Sequence, residues 1–395
     1  IPNNDPAQIK NLDRPYTDNT NYPIFQTLLQ NKLEGSHKIG NTEISWFAAR
    51  TGVASDTKDY TQYITRYDFI GNEILTFHKI YNSGADFYRG YIENKETDYN
   101  YGASVKWDMD AGSFKNTIKT GYAGAIKNNT NQQQKFFLRV DENRDVPNSE
   151  KNYLTMYGSL ADWFNGSHYI PGGIGWETKA LYKNDKYEGE VNQHAVFVMF
   201  DNRWKKLRLV WGLRAEYFKY DLISQQLDPN DTKNVERAAV EDKPWQWMPS
   251  ANFTYSPTNK INLRLAYNRS VIRPQFNERT GLPYFDPIAN GLIYNTEMTS
   301  SVINNYDFKF EWFPGLGEIF SAGLYYKNID RPIEREGHIS SEGNLFLYNG
   351  NSKNAKLIGV EAEVRKSLGF IADVTFLEKL FISGNFTYNH TKVVA

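Results

Sequence analysis

The sequence contains no cysteine, and this absence excludes disulfide bonds and thiolate metal sites. It also lacks any apolar run of about 18 residues, which is the length that a transmembrane helix requires. Neither sign of charge dominates, because the formal net charge of the 395 residues is −1. We therefore expect no nucleic-acid partner, since binding to nucleic acid needs a basic field.

Aromatic residues, in contrast, are abundant: the chain has 27 Tyr, 24 Phe and 9 Trp. Aromatic and β-branched side chains fit the pleated face of a half-buried strand. A polar chain with this many aromatic residues therefore predicts a protein of many strands, each with one apolar face.

The clearest strand pattern runs from Lys206 to Phe218, where apolar and polar residues alternate. The apolar positions are Leu207, Leu209, Trp211, Leu213, Ala215 and Tyr217, and the opposite positions include Arg208, Arg214 and Glu216. The same period of two residues recurs at 99–108, 261–268, 306–312 and 358–365. Such long alternation predicts strands with one apolar and one polar face.

Two features favour a membrane protein over a soluble β-sandwich, whose strands alternate in the same way. Several patterns exceed the roughly 5 to 6 residues of a usual globular strand and match the about 9 to 11 residues of a tilted membrane strand. Aromatic residues such as Tyr217, Tyr267 and Trp312 also stand at the ends of apolar rows, where an interfacial girdle belongs. The rows therefore predict strands that face lipid.

Short and long connections alternate along the second half of the chain. Turn-forming sequences lie at 201–203, 256–259 and 314–317, and long polar stretches lie at 221–246, 271–304 and 328–356. Outer-membrane barrels have short periplasmic turns and long extracellular loops. A sandwich gives no reason for this alternation. The low-complexity run Asn-Asn-Thr-Asn-Gln-Gln-Gln at 128–134 is interpreted as one more solvated loop.

These patterns predict an all-β fold, a transmembrane antiparallel β-barrel of the bacterial outer membrane, with roughly 14–18 strands in this chain. A barrel of that size leaves a lumen too wide for side chains to fill. We expect residues 1–395 to form one partial barrel domain, because no linker divides the chain and its last residues continue a strand pattern.

Several segments resemble the C-terminal barrel half of TonB-dependent outer-membrane receptors. In chain order they are LVWGLRAE (209–216), WMPSANFTY (247–255), NLRLAYNRSVIRPQF (262–276), NYDFKFEWFP (305–314), YKNIDRPIE (326–334) and NAKLIGVEAE (354–363). The resemblance implies a barrel of about 22 strands in the intact protein. It also implies an N-terminal plug and a TonB box, which lie outside this chain together with the last strands.

The resemblance further implies a function and its partners. It implies uptake of a large or scarce nutrient across the outer membrane, driven by the TonB complex acting through the N-terminal part. The expected partners are that complex and the outer-membrane lipid, and a surface lipoprotein or other outer-membrane subunits are candidates. We expect the protein not to be an enzyme.

Candidate ligand contacts are aromatic residues in the long polar stretches, namely Tyr284, Phe285, Tyr294, Phe346 and Tyr348. Packing of the loops explains these residues nearly as well. No catalytic residue, metal ligand or cofactor is predicted. The six His residues lack the spacing of metal ligands, and no Ser-His-Asp set can be assembled.

The dipeptide Arg273-Pro274 has two interpretations. It forms a loop hinge or a ligand contact, or Pro274 ends a strand because it lacks an N–H and Arg273 solvates the rim. We favour the second interpretation.

Two other membrane functions also fit the pattern. The barrel could be a structural or assembly subunit of a larger outer-membrane complex, or it could be a passive porin. A soluble all-β protein that binds or hydrolyses carbohydrate is disfavoured by the alternation of short and long connections.

Overall fold

The computed structural model describes residues 16–70, 73–81, 87–140, 153–157, 164, 174–177, 185–228, 231–238, 243–280, 284–286, 291–295, 298–339, 345–372 and 374–394. Almost all of these residues lie in β-strands, as the alternating sequence predicts.

The first half of the chain contributes β1 (Tyr16–Asn21), β2 (Ile24–Ile39), β3 (Thr42–Ile70), β4 (Glu73–Tyr81), β5 (Phe87–Ala111), β6 (Phe114–Val140), β7 (Tyr153–Tyr157), β8 (Ile174–Glu177) and β9 (Asp185–Trp204). The second half contributes β10 (Leu207–Asp228), β11 (Asp231–Ala238), β12 (Trp245–Thr258), β13 (Ile261–Ile272), β14 (Tyr284–Asp286), β15 (Gly291–Asn295), β16 (Ser301–Trp312), β17 (Ile319–Asp330), β18 (Ile333–Ile339), β19 (Leu345–Asn351), β20 (Asn354–Ser367) and β21 (Phe381–Val394). The helices are α1 (Phe276–Arg279), α2 (Thr375–Glu378) and a 3-10 turn (Leu368–Phe370). Among the described residues, every helix falls short of the length and apolar character that crossing a bilayer requires.

The long strands form one continuous antiparallel meander. Each strand pairs with the next in the series β2, β3, β5, β6, β9, β10, β12, β13, β16, β17, β20 and β21. With β1, β4, β7, β8 and β11 added at the strand ends, the sheet has 17 strands, within the predicted range of 14–18. A separate four-stranded sheet contains β14, β15, β18 and β19.

The apolar rows of the sheet face outward. Register places one belt across seven strands, at Leu209, Phe253, Leu265, Phe308, Leu324, Val360 and Tyr388. These side chains are 36–59% exposed. On the opposite face, polar residues such as Glu216, Glu311 and Ser321 are buried. A soluble sandwich would bury the apolar row, so the prediction of lipid-facing strands is confirmed.

Aromatic rings border this apolar belt on both sides. Tyr306 packs between Tyr267 and Tyr326, with ring centroids 5.0 and 6.1 Å apart. Six positions along β16, Trp312 packs against Phe320 at 5.2 Å. Tyr306 and Trp312 belong to the same lipid-facing row of β16 and stand at its two ends, as the aromatic girdles of an outer-membrane barrel do. The two rings therefore mark the two interfaces of the membrane.

The tight turns lie at one end of the sheet, together with the longer connection 368–380 between β20 and β21, and the connections after β10, β13 and β17 lie at the other end. The tight turns occupy positions 40–41, 112–113, 205–206, 259–260 and 313–318. The predicted turn at 201–203 is wrong, since these residues belong to β9 and the chain reverses at Lys205 with a φ of 51°. The ladder continues to Trp204, and within it the Asp201 carboxylate pairs with Arg203 and Arg208 at 2.9 and 2.8 Å.

The long connections are more ordered than solvated loops. Strand β10 continues to Asp228 and pairs with β11, while the connections after β13 and β17 contribute the four-stranded sheet. The run at 128–134 is likewise not a loop, because it lies in β6 and pairs with β5 and β9 on its two sides. Backbone pairing satisfies these polar segments beyond the membrane, where neither face needs to be apolar.

Candidate functional site

A cavity of about 720 Å³ lies on the inner face of the sheet, at the end remote from the tight turns. Its wall is formed by β5, β6, β9 and β10, and the segment 273–280 covers it. The lining residues are Tyr22, Ile92, Asn94, Glu96, Lys127, Asn129, Asn131, Gln133, Tyr187, Val191, Gln193, Phe218, Tyr220, Arg273, Pro274, Gln275, Phe276, Asn277 and Thr280. We call this space the lumenal cavity. Its volume is within the roughly 300–1,000 Å³ of typical ligand pockets.

Strand alternation puts these residues on one wall. Phe218 and Tyr220 continue the inward row that contains Arg214 and Glu216. Register then aligns Phe218 with Gln193 on β9, and Asn129 on β6 with Glu96 on β5. The cavity therefore opens toward the lumen and away from the lipid-facing rows.

Ion pairs neutralise the charged groups of the cavity. The Lys127 ammonium lies 2.9 Å from a Glu96 oxygen and 3.4 Å from an Asp98 oxygen. The Arg273 guanidinium lies 2.6 Å from Glu216 Oε1, and Glu216 is almost fully buried. The cavity therefore offers a ligand polar groups without a dominant charge of either sign.

The position of Arg273 corrects the interpretation favoured from the sequence. Strand β13 does end at Ile272, two residues before Pro274, as expected next to a residue that cannot donate to a ladder. The Arg273 side chain, however, is only 17% exposed and does not solvate the rim. Its guanidinium lies over the Phe218 ring at 4.2 Å. Ion pairing and ring contact together draw it inward.

An aromatic cluster positions the cover of the cavity. Phe276, the first residue of α1, is buried against Tyr187 and Leu222, and its ring lies 5.3 Å from that of Tyr220. A Cβ at Gly189 would collide with the Phe276 ring, so glycine allows this close approach. A capping box between Gln275 and Glu278 starts the helix.

Carboxamide groups are the most frequent polar groups of the cavity. They belong to Asn94, Asn129, Asn131, Gln133, Gln193, Gln275 and Asn277. Asn129 is only 4% exposed, and its Nδ2 donates to Glu96 at 3.2 Å. Among the described residues, neither Asn129 Oδ1 nor the Tyr220 hydroxyl has a hydrogen-bond partner, although both atoms are buried. Such atoms stand out, because nearly all buried polar atoms are satisfied.

The five loop aromatics predicted from the sequence all lie in strands of the four-stranded sheet. Tyr284 and Phe285 belong to β14, Tyr294 to β15, and Phe346 and Tyr348 to β19. The Tyr294 and Tyr348 rings stack with centroids 5.5 Å apart. Burial raises the pKa of Tyr294, and Tyr348 adds to this effect. The side chains of Tyr284, Phe285 and Phe346 lie outside the described part, and ligand contact by all five stays a prediction.

Hydrogen bonds join this small sheet to the lumenal cavity. Asn295 Nδ2 donates to the Asn277 carbonyl at 2.8 Å, and Asn349 Nδ2 donates to Asn295 Oδ1 at 3.1 Å. The loop aromatics and the cavity therefore belong to one connected structure at the outer end of the strands.

Sequence reasoning missed the lumenal cavity. A usable signal was present in the run at 128–134, whose alternate residues Asn129, Asn131 and Gln133 all face inward. Among the described residues, no group of three His, Asp or Glu side chains is arranged to hold a metal ion.

Comparison with known proteins identifies one family. The profile described as TonB dependent receptor-like, beta-barrel, matches residues 8–394. No curated protein sequence matches the chain significantly.

Several solved structures are similar to the chain. The siderophore receptor PiuA from Acinetobacter baumannii has a TM-score of 0.47 and 12% identity, with 96% of this chain and 62% of that chain covered. The ferric enterobactin receptor PfeA from Pseudomonas aeruginosa has a TM-score of 0.43 and 11% identity, with coverage of 92% and 51%. The RagAB peptide importer has a TM-score of 0.48 and 11% identity, with coverage of 96% and 37%. The chain thus spans less than two thirds of the length of these structures.

Proposed function

Because this chain belongs to the family of TonB-dependent receptor-like β-barrels of the bacterial outer membrane, we propose that it is the barrel wall of a receptor that imports a large or scarce nutrient. In this proposal residues 1–395 form one barrel domain, and outer-membrane lipid surrounds it. A plug in the lumen gates passage, and the TonB complex supplies the energy through the N-terminal part.

The lumenal cavity is the observation that supports this proposal most directly. A ligand can reach it from the end of the sheet that carries the long connections, which is the extracellular end in outer-membrane barrels. Buried groups with fixed partners, such as Glu216 and Arg273, hold its wall in one arrangement. A preformed polar cavity at the outer end of a lumen is what selective capture requires.

The passive porin is disfavoured by the same features. A porin needs an unobstructed water-filled lumen, whereas the segment 273–280 folds inward over the wall and packs there through Phe276. A structural subunit needs no such cavity. We therefore retain the receptor as the proposed function. The porin and the structural subunit are the alternatives that the test can support instead.

The test compares growth of the bacterium that carries the intact protein on a panel of single nutrients. It uses the wild type, a deletion of this gene, the deletion complemented with the intact gene, and a strain depleted of TonB. We expect gene deletion and TonB depletion to abolish growth on the same nutrient, and complementation to restore it.

Two outcomes would reject the receptor. Growth that depends on this gene but not on TonB would indicate a porin. General sensitivity of the deletion strain to detergent, without loss of growth on any particular nutrient, would indicate a structural subunit.

A further inference from the structure

We infer that the lumenal cavity binds a neutral oligosaccharide, held by its carboxamide groups and by the apolar faces of its aromatic rings. The inference rests on the proposed function, because it names the substrate class of the proposed receptor. Three properties of the cavity carry it: paired charges, several amide groups of which Asn129 has an oxygen without a hydrogen-bond partner among the described residues, and aromatic side chains among them.

The paired charges favour an uncharged ligand. Lys127 is held between Glu96 and Asp98, and Arg273 is held by Glu216. An anionic or cationic ligand would have to compete with these short ion pairs and would leave one of their members without its partner. A neutral ligand leaves the pairs intact.

The amide groups favour a ligand rich in hydroxyl groups. Each carboxamide offers two N–H donors and a carbonyl acceptor, and a sugar hydroxyl both donates and accepts. Asn129 Oδ1 accepts no hydrogen bond from the described residues, and the Tyr220 hydroxyl also lacks a partner there. Hydroxyl groups of an oligosaccharide can supply such partners. Asn129, Asn131 and Gln133 follow β6, and Gln193 lies on the neighbouring strand β9. This row of amides fits a chain of several sugar units.

The aromatic side chains provide apolar surface that matches the apolar faces of a sugar ring. Tyr22, Tyr187, Phe218, Tyr220 and Phe276 line the same space as the amides. A pyranose ring has C–H groups on its faces and hydroxyls on its edge, so it presents apolar and hydrogen-bonding surface side by side. A cavity that mixes rings with amides offers both kinds of surface.

A peptide is the competing neutral ligand, and the wall is less suited to it. Extended peptides are commonly bound by addition to a free sheet edge. Three of the four wall strands are paired on both sides along the cavity, since β5 lies between β3 and β6, and β6 and β9 continue the series to β10. Strand β10 pairs with β9 along the cavity and with β12 as far as Tyr217. Recognition by β5, β6 and β9 must therefore use their side chains.

The experiment is calorimetric titration of the intact protein in detergent. One arm uses uncharged hexasaccharides derived from glucan, xylan, mannan and chitin, and the other uses hexapeptides blocked at both termini. We expect at least one hexasaccharide to bind and no peptide to do so. Asn129→Leu should raise the Kd of the hexasaccharide that binds at least tenfold, and Tyr220→Phe should raise it at least threefold. Asn385→Leu, the same amide replacement on β21, is the matched control and should leave Kd unchanged.

Tyr220→Phe keeps the inference testable if Asn129→Leu fails to fold, because it removes one oxygen atom only. Three results would overturn the inference. They are the absence of hexasaccharide binding, peptide binding that these variants weaken, and sugar binding that neither variant alters. TonB-dependent growth on a nutrient other than carbohydrate would reject the oligosaccharide as substrate but would still support the receptor function. Sugar binding without TonB-dependent growth would reject the transport function alone.

Discussion

Arg273 Nη2 lies 2.6 Å from Glu216 Oε1, and this ion pair ties the segment after β13 to the inner face of β10. The other Glu216 oxygen accepts hydrogen bonds from Arg214 Nε and Nη2 at 3.0 and 2.7 Å. Because Glu216 is almost fully buried, its carboxylate depends on both arginines. The pair therefore connects the cover of the lumenal cavity to its wall.

Replacing Arg273 with Gln should lower the free energy of unfolding by about 1–3 kcal/mol, because the buried Glu216 carboxylate loses one of its two cationic partners. Arg214 remains on Glu216 and prevents a larger loss. The measurement is urea unfolding of the intact protein in detergent. Arg203→Gln is the control, because Arg203 is 54% exposed and shares Asp201 with Arg208. The free energy of unfolding of this control variant should fall by no more than about 1 kcal/mol. Equal losses in both variants would contradict the importance of the Arg273 contact.

The two faces of β10 should respond differently to the same substitution. Leu209→Arg puts a charge into the lipid-facing belt and should cost about 2–4 kcal/mol near the bilayer midplane. Val210→Arg lies on the inner face opposite Asp201 and should cost far less. The measurement is refolding into lipid vesicles, followed by the shift in electrophoretic mobility on heating. Similar tolerance at both positions would reject the two-faced assignment.

The sequence predicts the fold well for residues inside the membrane and less well for residues outside it. Between the aromatic rings one face meets lipid, so Leu209 and Glu216 could be assigned to opposite faces from periodicity alone. Beyond these aromatic residues both faces meet water and the apolar periodicity is lost, so the polar run at 128–134 predicts a loop where the structure has a strand. The turn at Lys205 was missed because neither Lys205 nor Lys206 is a typical turn residue.

The lumenal cavity could not be predicted because it depends on register between distant segments. Glu96, Asn129 and Tyr187 come together only after three strands have paired, and Phe276 reaches them from another connection. Each is an ordinary polar or aromatic residue in its own segment. The loop aromatics were identifiable because they are local, although their assembly into one sheet was not.

The lack of native cysteine makes the sidedness of the chain directly measurable. Cysteines introduced at Asn41, Lys206 or Asn259, in the tight turns, should be protected from an impermeant thiol reagent on intact cells. Cysteines at Lys58 or Glu336, at the outer end, should react. Permeabilised cells give the control, because all five sites should then react. Labelling of the tight turns in intact cells would reverse the proposed orientation.

The stacked pair Tyr294 and Tyr348 should separate ligand contact from loop packing. If these rings contact ligand, Tyr348→Leu should weaken binding at least fivefold and leave protease resistance of the four-stranded sheet nearly unchanged, because leucine preserves apolar contact. The measurement is titration with the hexasaccharide that binds, combined with limited proteolysis. Unchanged binding with faster cleavage would assign the pair to packing.

Permeability of the intact protein in liposomes tests the central claim most directly, namely that the polar lumen is the interior of a gated receptor. The liposomes are placed in isotonic arabinose, glucose or raffinose, and swelling is followed by light scattering, with a general porin as positive control. The account predicts swelling no faster than that of empty liposomes in any of the three sugars. Rapid swelling that slows as the sugar grows larger would show an open pore and contradict the account.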